Sequence, residues 1–509
     1  MKKITMILVC LLAALVMAAP GYAGTCAADL TGDGNVDGAD LALLASEFGT
    51  ADCTTTLTVD CDSGDTIADA LAVADPGDTI LVTGTCEEAV LLISPDHDRV
   101  VLDGQGSAVI SSGGQNGITV DGTRGVVIRG FTVQNGQEGV LVTRGASALL
   151  DGLTVKDCAD DGIQVDENAN ALIKDCTVGS KVEGEKIQGD GILVVRGSNA
   201  TVTGTFTSVG NGGMGISVTN SSSLFAFNSS VTLQNNGWHG CGVSNGSALR
   251  IYGTADWAVA SNSDSGVSVS GASQLETYNS SGTILVTDNG TYGLRVTKTS
   301  NAGLEGATLE VRSNGFLGLL VENSSSLYMG NTTTVTGNPG YGVCVVRASV
   351  FRVGGTGVLT AKETSRINDY HPGAGIGVFD ASSFSAWGKV TLQDNESDGL
   401  MAYRGAIVKF YNATVTSITN NGRNGIGLYR NSTCDMDGGV TISSNVKGVV
   451  ADDSTLSMSQ CSVTDNPSGA NPTHDVGLYF GARGTFSGNS IGNLECDGTA
   501  LSRGDRTCP

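Results

Sequence analysis

Gly215-Ile-Ser-Val218, Gly342-Val-Cys-Val345 and Gly399-Leu-Met-Ala402 repeat one pattern: a glycine followed by apolar residues at alternate positions. Taken as an anchor, that glycine recurs at 117, 139, 162, 191, 215, 240, 266, 293, 318, 342, 375, 399, 425, 448 and 477. These are fourteen steps over 360 residues, or about 26 residues each. Period-two apolar alternation is the mark of a strand. A strand returning at a fixed interval of this length belongs to a stacked-repeat architecture.

Two polar columns travel with the anchor. Four residues before it stand Asn135, Asn211, Asn236, Asn262, Asn289, Asn314, Asn338, Asn395 and Asn421. Seven residues after it stand Ser198, Ser222, Ser247, Ser273, Ser300, Ser325, Ser349, Ser382 and Ser432. Asn and Gly tolerate the left-handed backbone of tight turns. The same residue met once per coil implies parallel stacking of rungs about 4.8 Å apart. Stacked amides can then bond up and down the column, so the Asn column is read as structural. The predicted fold is all-β, a parallel β-helix solenoid of about 15–17 coils over residues 54–495, with a tail at 496–509. The 73 glycines and only 8 prolines fit many short strands joined by turns. Asp65–Val82 reads as a short capping helix, a Pro-Gly turn and a strand, covering an end that would otherwise invite edge pairing.

Residues 1–23 begin Met-Lys-Lys, run apolar and end on small residues, the pattern of a secretory signal cut after Ala23. The apolar stretch is too short for a membrane span. The expected location is outside the cytoplasm: secreted, at the cell surface, or periplasmic. Losing Lys2 and Lys3 takes the formal charge from −23 to −25, which argues against nucleic acid and anionic lipid as partners. Twelve cysteines remain after Cys10 leaves with the signal. Cys61 with Cys86, and Cys496 with Cys508, are candidate end staples, while Cys176 and Cys461 fit equally as small core residues.

The stretches DTIADALAVADPGDTILVTGTCEE (65–88), VVLDGQGSAVI (100–110), GVVIRGFTVQN (125–135) and ALLDGLTVKDC (148–158) resemble the pectate-lyase-like right-handed β-helix superfamily over about residues 57–495. The resemblance implies a right-handed coil. It implies no single activity, since members include lyases, hydrolases, epimerases, adhesins and non-catalytic surface proteins. The motif sets of polygalacturonases and pectate lyases are absent. Pro95-Asp96-His97-Asp98 holds the residues of the alginate epimerase Asp-Pro-His-Asp motif in another order, and it lies before the main coils.

Between signal and coil, residues 24–53 contain Asp29-Leu-Thr-Gly-Asp33-Gly-Asn-Val-Asp37-Gly-Ala-Asp40, then Leu-Ala-Leu-Leu. Oxygen-bearing residues at loop positions 1, 3, 5, 9 and 12, with a glycine at position 6, follow the ligand logic of an EF-hand helix-loop element. With Asp at position 12, the stretch resembles one type I dockerin repeat. That resemblance assigns Ca²⁺ ligation to Asp29, Thr31, Asp33, Asp37 and Asp40, with Asn35 offering its backbone carbonyl, and brings a cohesin-like partner into consideration. Thr31 replaces the usual Asn or Asp, and a single repeat stands where dockerins carry two.

Reading the columns outward gives candidate site residues. One residue before the anchor, successive rungs carry Glu138, Asp161 and Asp190, with Asp160 adjacent. Carboxylates stacked about 4.8 Å apart need a cation or a raised pKa, unless the column is only a solvated acidic edge. Either need would suit general acid–base work on a sugar. Five residues after the anchor come Arg144, Glu167 and Arg196, read first as an ion ladder and second as a clamp for a substrate carboxylate. Twelve after it stand Phe227, Tyr252 and Tyr278, then Trp387 and Tyr411. The turn before the anchor adds Trp238, Tyr292, Phe316, Tyr341 and Tyr370. Ring rows suit stacking on sugar faces, or simply on each other. Three long steps place insertions at Lys181–Gln188, Lys362–Pro372 and Pro467–Asp475, the second carrying Glu363, Arg366, Asp369 and His371. Solvated loops are the plain reading, and sites on a rigid scaffold the other.

The leading expectation is an exported, non-catalytic β-helix that binds a polysaccharide or cell-surface glycan. The alternatives are a polysaccharide lyase, epimerase or glycosidase built on Glu138, Asp161, Asp190, Arg144 and Arg196, or an adhesion component docked through the calcium loop.

Overall fold

A chain of short strands separated by tight turns can satisfy its backbone polar groups only by pairing coil upon coil. The computed structural model describes residues 54–182, 186–411, 416–466, 474–504 and 507–508. The signal at 1–23, the calcium loop at 24–53 and most of the third insertion lie outside the described residues. Among the described residues, each anchored segment forms a short strand, and seventeen of these make one narrow parallel sheet from Val90–Ile93 to Leu494–Cys496. The remainder of each coil builds a wide parallel sheet, bent along its length. Ser223–Gln234 crosses the bend as one strand, and its register with Ala248–Ala260 shifts between Phe227 and Ser229, at the left-handed Asn228. The fold is the expected right-handed parallel β-helix of about seventeen coils.

The anchor is glycine for a reason other than turn conformation. A β-carbon on Gly215 would stand 2.7 Å from the Gly240 carbonyl oxygen and 2.8 Å from the Asn236 amide nitrogen of the next rung. The same clash recurs at Gly266, Gly293, Gly318, Gly375 and Gly399. The positive φ values fall instead on residues such as Asn235, Ser261, Asp288 and Asn420, immediately before the Asn column.

The Asn column is a buried hydrogen-bonded ladder. Asn236 donates its side-chain amide to Asn262 Oδ1 at 2.9 Å and its backbone N–H to the same oxygen at 3.1 Å. Asn211, Asn262, Asn289 and Asn314 repeat this on their own next rungs. The ladder differs from expectation in three places. Asn135 is not a member: it is exposed, left-handed at φ 58°, and donates to Ser111. Thr364 replaces Asn at the start of the second insertion and its hydroxyl lies 2.8 Å from Asn395 Oδ1. Asn445, displaced by a turn one residue shorter, and Asn466, which stands ahead of the third insertion, extend the ladder to Asp475. Asp475 also takes the anchor place expected at Gly477, because Val449 pairs with Val476 and donates to the Asp475 carbonyl. The Ser column is a second buried ladder in which a backbone N–H donates to the next hydroxyl, as Ser247 does to Ser273 at 3.2 Å, broken after Ser382 where the next rung carries Ala406.

Inside, like stacks on like. Phe351 and Phe384 are register partners with ring centroids 5.3 Å apart, and Phe410, which pairs with Ala386, sets its ring edge-on against Phe384 at 5.7 Å. Burying each such side chain contributes about 1.5–3 kcal/mol. At the first end the helix Ile67–Leu71 is capped by Thr66, whose hydroxyl accepts from Asp69, and by Glu88, which accepts from Ile67 and Ala68. The strand Thr56–Asp60 precedes it and pairs with Thr79–Thr83. Disulfides Cys61–Cys86 and Cys496–Cys508 staple the two ends, and Cys176 and Cys461 are buried thiols. Pairing continues through Leu501–Gly504, within the segment expected as a tail.

Replacing Asn262 with Leu would orphan two buried donors of Asn236 and remove a donor from Asn289. At about 1–3 kcal/mol per orphaned group, the loss should be about 2–5 kcal/mol in denaturant unfolding. Asn135→Ala, strained only by its left-handed backbone, should lose about 1–2 kcal/mol.

Candidate functional site

Strand parity decides what the narrow sheet shows to solvent. Positions one and three after the anchor point inward, as Ile216 and Val218 do, and positions two and four point outward. At position four stand Phe379, Tyr403, Tyr429 and, in the corrected register, Tyr479. Glycine at position two lets the ring lie across the sheet. A β-carbon on Gly377 would stand 2.5 Å from the Phe379 ring, and one on Gly427 2.7 Å from the Tyr429 ring.

The second insertion arches over this face. Ile367 donates to the His371 carbonyl at 3.0 Å, and the Asn368 side chain accepts from Tyr370 and His371. At the loop's far end the Gly373 carbonyl lies 2.8 Å from the Thr364 hydroxyl, which shares its one proton between that carbonyl and Asn395 Oδ1. The Tyr341 hydroxyl donates to the Tyr370 carbonyl at 3.1 Å. Beneath and beside the loop lies a cleft of about 630 Å³. Leu317, Leu320 and Cys344 pack with Tyr341 in an apolar cluster separate from the coil interior and line the cleft. Phe379, Tyr403 and Tyr370 add rings, the last 87% exposed.

The polar rim is charged and largely paired. Glu322, with its side chain only 8% exposed, takes Arg295 at 2.6 Å and Arg347 at 3.0 Å. Asp380 pairs with Arg404 at 3.3 Å. The guanidinium groups of Arg404 and Arg430 lie 5.1 and 4.8 Å from the Tyr403 ring centroid. His371 meets Phe316 and Tyr341 edge-on at 4.8 and 5.7 Å. Burial lowers its pKa, so its ring is neutral near pH 7. Its Nδ1 is buried without a hydrogen-bond partner among the described residues. A rigid apolar floor, exposed rings and oriented N–H donors are the components of a carbohydrate or small-molecule site.

The sequence candidates distribute unevenly around this cleft. Tyr292, Phe316, Tyr341 and Tyr370 line it, as do Asp369 and His371 of the insertion. Phe227, Tyr252 and Tyr278 are register partners at the bend of the wide sheet, Tyr252 and Tyr278 meeting edge-to-face at 6.4 Å. Trp387 and Tyr411 stack on each other there at 4.7 Å and 14°. Arg347, Phe379, Tyr403 and Arg404 went unread, although Gly377-x-Phe379 and Gly427-x-Tyr429 carry a signal for outward rings.

The acidic column is a ladder from carboxylate to backbone. Glu138 accepts from the Asp161 N–H at 2.9 Å, Asp161 from Asp190 at 2.6 Å, and Asp190 from Met214 at 2.6 Å. Asp398 does the same for Asn424 far along the same column. One oxygen each of Glu138, Asp160 and Asp161 lies within 4.8 Å of the others. Burial, reinforced by neighbouring carboxylates, pushes Glu138 up to about 7 and Asp161 to about 8, and raises Asp190. The expected Arg144–Glu167–Arg196 ladder pairs along its own column only between Glu167 and Arg196, and there loosely. Arg144 pairs with Asp121, and Arg196 with Asp166, each one position earlier on the preceding rung, where the carboxylate is better shielded. Glu167 stays 3.9 Å from Arg196. His97 is structural, its ring bridging the Ile93 N–H and the Leu71 carbonyl.

In the unfolded chain these acids lose their protons near their ordinary values of 3.8 and 4.5, whereas the folded protein holds them to about 7–8. The folded state therefore binds more protons across that interval, and stability falls as pH rises through it. Asp161→Asn keeps the acceptor for Asp190. It should flatten the fall in unfolding midpoint between pH 5 and pH 8, measured by thermal denaturation.

A family model described as a right-handed beta helix region matches residues 100–256. No curated protein matches. Among solved structures, the periplasmic alginate epimerase AlgG is 12% identical, with 87% of this chain and 81% of that one covered and a TM-score of 0.30. The A-module of the Azotobacter vinelandii mannuronan C-5 epimerase AlgE6 is 12% identical over 86% and 93%, with a TM-score of 0.29. The PL6 family alginate lyase AlyGC is 10% identical over 88% and 99%, with a TM-score of 0.23. Likeness at this level assigns no residue a role.

Proposed function

We propose that the protein is an exported, non-catalytic β-helix that binds a glycan in the cleft between Tyr292 and Arg404. The observation that carries this reading is the half-buried Tyr403 ring, with the guanidinium groups of Arg404 and Arg430 within about 5 Å of it, beside an apolar floor. Rings take the apolar faces of sugars, and the charged rim takes their hydroxyls. Binding without turnover fits the state of the polar groups. The Tyr341 hydroxyl is committed to a carbonyl, and Glu322 and Asp380 are neutralised by arginines. Two end disulfides fit an oxidising compartment. Among the described residues no helix is long and apolar enough to cross a membrane.

A second reading is sugar chemistry at Glu138 and Asp161, favoured by protons retained near neutral pH. Against it, both side chains are buried and each gives an oxygen to a backbone N–H. Turnover of uronate or neutral polysaccharides that disappears in Asp161→Asn would favour this reading and sink the binding-only one.

In affinity electrophoresis against those polysaccharides, Tyr403→Ala should weaken retention about tenfold, or about 1.4 kcal/mol. Tyr252→Ala, on the wide sheet, should leave it unchanged. The reverse result would move the site to the row Phe227, Tyr252, Tyr278. The proposal includes Ca²⁺ at Asp29, Thr31, Asp33, Asn35, Asp37 and Asp40. Calorimetry should show one Ca²⁺ event in the mature protein that is lost in Asp29→Ala and Asp40→Ala. A cohesin-like partner would have to bind in a Ca²⁺-dependent manner through the same residues.

A further inference from the structure

The column that carries Glu138, Asp161 and Asp190 continues along the narrow sheet through Met214 to His239, then through Ser265 to Tyr292. At His239 it borders a second cleft of about 310 Å³. Its lining includes Trp238, His239, Ser268, Arg295 and Lys298, and contains no Asp or Glu. On a chain with 51 acidic residues and a formal charge of −23, it gathers Arg295, Lys298 and His239 without a carboxylate in the lining. Arg295 joins this cleft to the larger one, since its guanidinium lies 5.4 Å from the Tyr292 ring and pairs with Glu322.

We propose that this smaller cleft is a subsite for an anionic oxygen substituent, a carboxylate or a sulfate ester, on the glycan held in the larger cleft. The inference rests on the glycan-binding reading and names the charge class of its ligand.

Four features build the subsite. His239 is 7% exposed, stacks on Trp238 at 4.8 Å, and accepts the Ser265 N–H at Nδ1 at 3.3 Å. Its proton therefore sits on Nε2, which has no hydrogen-bond partner among the described residues, so the ring offers the cleft a fixed donor. Asp264 holds this arrangement, accepting from Trp238 Nε1 at 3.1 Å and from the Thr291 hydroxyl, with its carboxylate 3.6 Å from His239 Nδ1. Ser268 stands at the outward second position of its strand, and its hydroxyl makes no hydrogen bond among the described residues. Lys298, exposed at the rim, forms no ion pair among them either. Gly242 keeps the floor open, for a β-carbon there would stand 2.4 Å from the Met214 sulfur. Imidazole N–H, hydroxyl, guanidinium and ammonium are all donors, which is what an anionic oxygen cluster accepts from.

The test follows the His239 ring signals by NMR in the full-length mature protein, assigned with His239→Gln. The probes are methyl glucuronide, glucose 6-sulfate and neutral methyl glucoside at matched ionic strength. Saturable shifts with either anionic sugar and none with the neutral one are expected, and whichever anion acts identifies the substituent. Lys298→Ala, a surface change that leaves the coil intact, should weaken that response at least fivefold. Equal shifts with the neutral sugar, no shift with either anion, or an unchanged response in Lys298→Ala would overturn the proposal. Because the probes are monosaccharides read at His239, a failure here is separate from loss of polysaccharide retention in Tyr403→Ala.

Discussion

Each coil is held at one distance from the next by the carbonyl oxygen of its anchor residue. That oxygen fills the place where a β-carbon on the preceding rung would stand, as Gly240 does for Gly215. Any larger side chain at the anchor would force the rungs apart and stretch every pairing in both sheets. Parallel pairing sets the rung spacing at about 4.8 Å. The anchor glycine lets the turn obey that spacing, and the Asn ladder fills the space beside it. The inward Val and Ile stacks and the Phe351–Phe384 pair then follow, because identical positions lie directly above one another.

The same constraint makes the outer face of the narrow sheet a fixed grid. Side chains at the second and fourth positions have nowhere to go but across the surface, so glycine at one decides the posture of a ring at the other. The cleft arises where this grid meets an insertion. Coils before it carry polar residues such as Ser217 and Ser268 at the outward second position, whereas later coils carry Leu320, Cys344 and Met401. Those apolar residues give the loop something to rest on.

Fold and site were unequally legible. The period, the strands, the capping helix and both disulfides follow from residues that recur or stand at the ends. The errors came where turn length changed. One residue fewer in a turn hid Asn445 from the Asn column, and the last anchor slipped from Asp475 to Gly477 because glycine was taken as its mark. Asn135 was placed in the ladder on sequence distance, yet distance does not say which residue of a turn has the left-handed backbone. The acidic rungs stood out because three like charges in register are conspicuous. Tyr292 and Tyr341 stood out as rings in the turn before the anchor, whereas the same column's His239 did not, because a single histidine on one rung forms no repeat.

The Asn ladder also has a direction. Within each run the amide oxygen faces the lower-numbered rung and one N–H donates to the Asn oxygen of the higher-numbered rung. The other N–H turns to a backbone carbonyl, as Asn262 does to Leu233. The C=O dipoles therefore add instead of alternating, much as peptide dipoles add along a helix. The row breaks once, where Asn338 turns its amide to the Val311 and Thr336 carbonyls and Thr364 starts a new run. The first run begins with a buried oxygen on Asn211 that has no hydrogen-bond partner among the described residues, its negative pole. The second ends with Asn466 donating to the carboxylate of Asp475. An anion at the positive pole of a line of aligned amides is the arrangement that caps a helix N-terminus, reproduced here by side chains in a protein that is almost entirely strand.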